Sequence, residues 1–105
     1  MDNFKLLLCN TNSIDNAKEI AQKIIANNHA ACVNIIPNVI SIYEWEDKIE
    51  TEQEFTMLIK TSLGKIKSIE KIIKQMHTYD LPEIIYFDIE GGSKEYLSWL
   101  NSQIQ

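Results

Sequence analysis

The chain has 105 residues, of which 45% are hydrophobic and 24% charged, a composition that suits a folded domain and excludes the apolar-poor, highly charged pattern of disorder. Fifteen acidic side chains face ten basic ones for a net charge of −5, and all ten cations are lysine. Without arginine, such a chain is a poor match for nucleic acid, where phosphate neutralisation and Arg forks dominate, and for an anionic membrane surface.

The N-terminal MDNFKLLLCN holds only a short apolar run, Leu6 to Cys9, well below the length of a signal h-region or a membrane span. A cytoplasmic protein is therefore expected. Two cysteines, Cys9 and Cys32, make no disulfide framework and read as free thiols of a reducing compartment. The length predicts a single domain over residues 1–105. Phe4 to Asn10 reads as a central strand ending in the turn-prone NTNS, after which Ser13 can cap a helix. In that helix Ala17, Ile20, Ala21, Ile24 and Ile25 share one face, and Asn27-Asn28 marks its end.

From Ala31 to Phe55 β-branched and aromatic residues predominate, interrupted by Pro37-Asn38, where a missing N–H donor predicts a bulge in one long strand. Asp47-Lys48 is the expected hairpin turn, and Ile49 to about Thr61 the return strand. A second helix is expected from Ser62 or Leu63 to about His77, with Ile66, Ile69, Ile73 and Met76 on its inner stripe. Glu83 to Ile89 should form a fourth strand, Gly91-Gly92 a turn, and Ser93 the cap of a last helix whose apolar face is Tyr96, Leu97 and Leu100. The order βαββαβ plus a terminal helix predicts an α+β, ferredoxin-like sandwich: an antiparallel sheet with two helices on one face.

No acid/base carboxylate pair, nucleophile elbow, Walker loop, HExxH or CxxC stands in the sequence. GGS at Gly91 to Ser93 is turn and cap, too short to cradle a phosphate. Cys9, at the end of the first strand, can be a small core residue or a ligand facing a cleft, and His29 with Cys32 form a lone H-x2-C pair. His77 closes the second helix, where an imidazole can serve the helix dipole or bind a soft metal. Cys9, Met76 and His77 together supply thiolate, thioether and imidazole, the donor set of copper(I), if the fold unites them. The whole net charge resides in Glu44 to Glu54; outside that stretch nine acids balance nine lysines. Alternation places its even-numbered glutamates on one face, solvated, with Tyr43, Trp45, Ile49 and Phe55 on the other. Tyr43 and Trp45 near an unpaired hairpin tip call for a partner.

Five blocks taken together, HAACVNIIP (His29 to Pro37), SIYEWEDKIETEQEF (Ser41 to Phe55), LIKT (Leu58 to Thr61), HTYDLPEII (His77 to Ile85) and EYLSWL (Glu95 to Leu100), resemble the CutA divalent-cation-tolerance proteins, in order from about Leu7 to Leu100. The resemblance implies a ferredoxin-like, PII-like subunit that trimerises through its long bent hairpin. It further implies a cytosolic protein, not an enzyme, linked to tolerance of copper and other divalent ions. The family's proposed copper ligands are a cysteine ending the first strand, which matches Cys9, and two adjacent histidines closing the second helix. The second histidine matches His77; the first is replaced by Met76, which favours a softer, weaker copper(I) site with no obligatory cofactor. Thr78 stands where the family usually has proline, and Asp47 where it usually has glycine. Two other readings stay open: a signalling or scaffold module binding a small molecule or protein in inter-subunit clefts lined by the His77 to Glu83 loop, and a thiol enzyme pairing Cys9 with His77.

Overall fold

A computed structural model describes residues 3–105. Its elements run β1 (Phe4–Thr11), α1 (Ile14–Ala26), β2 (Cys32–Trp45), β3 (Lys48–Ser62), a 3₁₀ turn (Leu63–Lys65), α2 (Ile66–Met76), β4 (Ile85–Asp88) and α3 (Lys94–Gln103). The four strands form one antiparallel sheet in the order β2-β3-β1-β4, so β3 lies between β1 and β2 and splits the first βαβ unit. The α+β, ferredoxin-like expectation therefore holds for the single chain.

Local chemistry explains most of the boundaries. Ser13 caps α1 by accepting from the Asn16 backbone N–H at 3.1 Å, and Ser93 caps α3 by accepting from that of Tyr96 at 3.2 Å. Ser62 makes no capping bond, and the expected helix start there is a 3₁₀ turn before α2 begins at Ile66. Fourth-strand pairing is shorter than expected, from Leu8↔Ile85 to Lys5↔Asp88. Pro82 has no N–H to give, and Glu83 instead spends its carboxylate on the Asn10 side-chain amide at 2.9 Å.

One face of the sheet meets α1 and α2. Leu7 and Cys9 from β1, Met57 and Ile59 from β3, Ile20 and Ile24 from α1, and Ile69 and Ile73 from α2 form the main core, with Val33, Ile35 and Met76 packed against it. Phe4, of opposite parity on β1, joins Leu100 and Ile104, so α3 closes part of the other face.

The Pro37-Asn38 bulge is where the spacing predicts it. The β2–β3 register slips between Ile36 and Val39, with Asn38 at φ 60°. The turn, however, is Glu46-Asp47, one residue earlier than expected, with φ of 50° and 64°, as a two-residue hairpin loop of the favoured twist requires. Any two-residue loop pairs odd-numbered residues of one strand with even-numbered residues of the other, so the expected division of faces by even and odd number fails wherever the turn falls. Trp45↔Lys48, Tyr43↔Glu50, Ser41↔Glu52 and Val39↔Glu54 are paired, and directly paired residues share a face. Glu50, Glu52 and Glu54 thus lie with Tyr43 and Trp45, while Glu44 lies opposite, with Ile49. Beyond the bulge the hairpin outruns its helices: Ile40, Ile42 and Ile49 are 69%, 68% and 77% exposed.

Candidate functional site

The site begins at the C-terminal end of β1, where the chain leaves the core. Cys9 points into that core and is fully buried. Its Sγ approaches the Asn10 carbonyl oxygen at 3.8 Å, and His77 Nε2 reaches the same oxygen at 2.7 Å. Cys9 and His77 therefore converge on one carbonyl. Met76 immediately precedes His77, and its carbonyl accepts from Asn16 Nδ2 at 2.9 Å, which fixes the end of α2 against the start of α1.

The hydrogen bonds determine the His77 tautomer. The Tyr79 backbone N–H donates to Nδ1 at 3.0 Å, so the ring proton sits on Nε2 and is donated to Asn10. Neither ring nitrogen is free. Burial, then the nearby Glu83 and Glu54 carboxylates, push the Cys9 thiol from 9.0 up to about 12. A group whose folded pKa is raised stabilises the fold fully below its unfolded value and ceases to do so as pH rises through the folded one. Cys9 should therefore weaken the fold progressively between pH 9.0 and about 12, and in Cys9→Ala this contribution to alkaline unfolding should vanish; equilibrium unfolding at stepped pH measures it. A thiol held protonated is the opposite of what a nucleophile needs, which removes the support for a Cys9–His77 thiol enzyme.

Beside this cluster a cleft of about 630 Å³ opens between the β2–β3 hairpin and the loop after α2. Thr56 Oγ1 donates to Asn10 Oδ1 at 2.6 Å, and Asn10 Nδ2 holds Glu83. The Tyr79 hydroxyl donates to Glu54 Oε2 at 2.6 Å, and the Tyr43 hydroxyl bonds Glu52. Glu54, read from the sequence as part of a solvated face, is only 5% exposed. Burial and the Glu54 charge raise the Glu83 carboxyl, and burial with the Glu54 bond raises the Tyr79 hydroxyl. Asn10 and Asn16 lie in none of the five blocks that carry the resemblance, and Glu54 and Tyr79 lie in two different ones, so no single motif joins these residues to their partners. Their partners lie 46, 60 and 25 residues away, a separation that no local pattern encodes.

His29 and Cys32 stay apart from this region. His29 Nδ1 is buried with no hydrogen-bond partner, and Cys32 Sγ lies 3.9 Å from Asn34 Oδ1. Among the described residues no three of His, Cys, Asp and Glu lie close enough to hold a metal ion, so the H-x2-C pair gains no third ligand.

Residues 5–103 match the family described as "CutA1 divalent ion tolerance protein". The chain belongs to the CutA1 family. It is 40% identical to mouse "Protein CutA" over 85 residues, covering 81% of this chain but 48% of the mouse protein. To the "Divalent-cation tolerance protein CutA" of Escherichia coli O139:H28 it is 34% identical over 100 residues, 95% of this chain and 89% of that protein. The chain thus spans about half the length of the mouse relative and nearly all of the bacterial one. A solved CutA from Archaeoglobus fulgidus, described as periplasmic, superposes with a TM-score of 0.94 at 35% identity, covering 97% of this chain and 99% of that one. The CutA1 fold brings two of the three expected donors, Cys9 and His77, to a common point and closes both off. No helix among the described residues is long and apolar enough to cross a membrane.

Proposed function

We propose that the chain serves divalent-cation tolerance without catalysis, as a cytoplasmic homotrimer of one domain over residues 1–105 that takes up copper weakly at Cys9, Met76 and His77. The observation that carries the site is the convergence of the Cys9 thiol and the His77 imidazole on the Asn10 carbonyl. The donor types suit copper(I). Their present state explains weak binding: Cys9 must shed a proton held up to about 12, and His77 must give up one of two hydrogen bonds. Support for trimerisation comes from the exposed isoleucines of the hairpin and from two edge strands, β2 and β4, each with an unpaired side. Two free cysteines favour a reducing compartment.

Titration of the native protein with copper(I) against a chromogenic chelator tests this reading. Cys9→Ala and His77→Ala should each weaken binding, by roughly tenfold or more for loss of one of three donors. Unchanged affinity in both variants would sink the site. Metal-independent thermal stabilisation by a metabolite would favour the signalling-module reading instead.

A further inference from the structure

The cleft beside the hairpin holds none of the three copper donors, although Asn10 and Tyr79 on its wall also touch His77, and its own chemistry is different. Its carboxylates come from two separate elements, Glu52 and Glu54 on β3 and Asp80 and Glu83 on the loop after α2, and no lysine lies among the lining residues. Each bond from Tyr43, Tyr79 and Asn10 engages one carboxylate oxygen. Glu54 is the telling case. The residue lines the cleft and is 5% exposed, Oε2 takes the Tyr79 hydroxyl, and Oε1 takes no hydrogen bond among the described residues. A buried carboxylate with an open oxygen is an acceptor awaiting a cationic donor.

Three observations select the kind of cation. The carboxylates are too dispersed for an inner-sphere metal cage, since no three potential ligands come together among the described residues. A volume of about 630 Å³ is the size of an organic ligand rather than of an ion. Tyr43, Trp45 and Leu81 form an aromatic and apolar wall, which attracts an alkylammonium through ring faces and methylene packing and offers nothing to a strongly hydrated metal. We infer that the cleft binds an aliphatic di- or polyamine, with ammonium groups on the Glu54 and Glu83 carboxylates and the methylene chain along Tyr43 and Trp45.

Calorimetric titration of the native, full-length protein with spermidine, at an ionic strength of about 0.15 M to suppress diffuse attraction, is the test. Saturable binding is expected, weakened roughly tenfold or more in Glu83→Gln, whose amide oxygen can still accept from Asn10 and so preserves the loop. Trp45→Leu should also weaken it, whereas Glu44→Gln, on the opposite face of the hairpin, should not. Magnesium at equal concentration should fail to displace spermidine. Absence of saturable binding, an equal loss in Glu44→Gln, or displacement by magnesium would each overturn the inference, because each reduces the cleft to a patch of diffuse negative charge.

Discussion

Ile40→Lys combined with Ile42→Lys should leave the subunit folded and abolish its self-association. Both isoleucines lie outside the two buried clusters that hold the subunit together, so their loss removes no core contact. Burying one isoleucine side chain stabilises an assembly by about 1.5–3 kcal/mol, and each subunit presents several such side chains on the free part of its hairpin. Lysine reverses the sign, since an unpaired ammonium would have to leave water. Light scattering should give three times the 12.2 kDa chain mass for the parent and one chain mass for the variant, with unchanged far-ultraviolet circular dichroism. A parent that is monomeric, or a variant that keeps the parent mass, would contradict assembly through this face. The long β2 edge gives a second reason to expect a partner, because an exposed apolar edge strand is otherwise an aggregation hazard.

Asn16→Leu should destabilise the fold by about 2–4 kcal/mol, an effect out of proportion to the loss of one polar side chain. Asn16 is buried in the first turn of α1, where Oδ1 accepts from Thr11 Oγ1 at 2.9 Å and Nδ2 donates to the Met76 carbonyl at 2.9 Å. Leucine leaves the Thr11 hydroxyl and the Met76 carbonyl inside the protein without these partners, at about 1–3 kcal/mol each. The exposed Glu70–Lys74 pair, at 3.2 Å, supplies the contrast: Lys74→Ala should cost no more than about 0.5 kcal/mol. Denaturant unfolding of both variants measures the difference. Adding Thr11→Val to Asn16→Leu should recover part of the loss, because the stranded hydroxyl is then gone. An Asn16→Leu cost as small as that of Lys74→Ala would mean that Asn16 does not hold α2 to β1.

The sequence disclosed the parts of the fold that depend on neighbours along the chain. Ser13 and Ser93 were legible as caps, Pro37 as the bulge, and the isoleucines of α1 and α2 as inner stripes, because each follows from a spacing of a few residues. The hairpin turn lay one residue from its expected place. That step changed each cross-strand partner but not the face; the faces were misread because a two-residue loop sets odd-numbered residues of β2 beside even-numbered ones of β3, Tyr43 and Trp45 beside Glu50, Glu52 and Glu54. The donors were legible by type, with Cys9 and His77 brought together by the fold. Their closed state was not, since His77 is fixed partly by a carbonyl 67 residues away. The cleft was legible only through its loop wall, His77 to Glu83; its other wall depends on pairing that places β3 carboxylates beside Tyr43 and Trp45.

X-ray absorption at the copper edge, on protein loaded with one equivalent of copper(I) per chain, tests the proposed site most directly. A ligand shell containing sulfur and a single imidazole is predicted, with loss of sulfur scattering in Cys9→Ala and loss of the imidazole pattern in His77→Ala. A shell of oxygen and nitrogen alone, or a sulfur-bearing shell indifferent to Cys9→Ala, would contradict it.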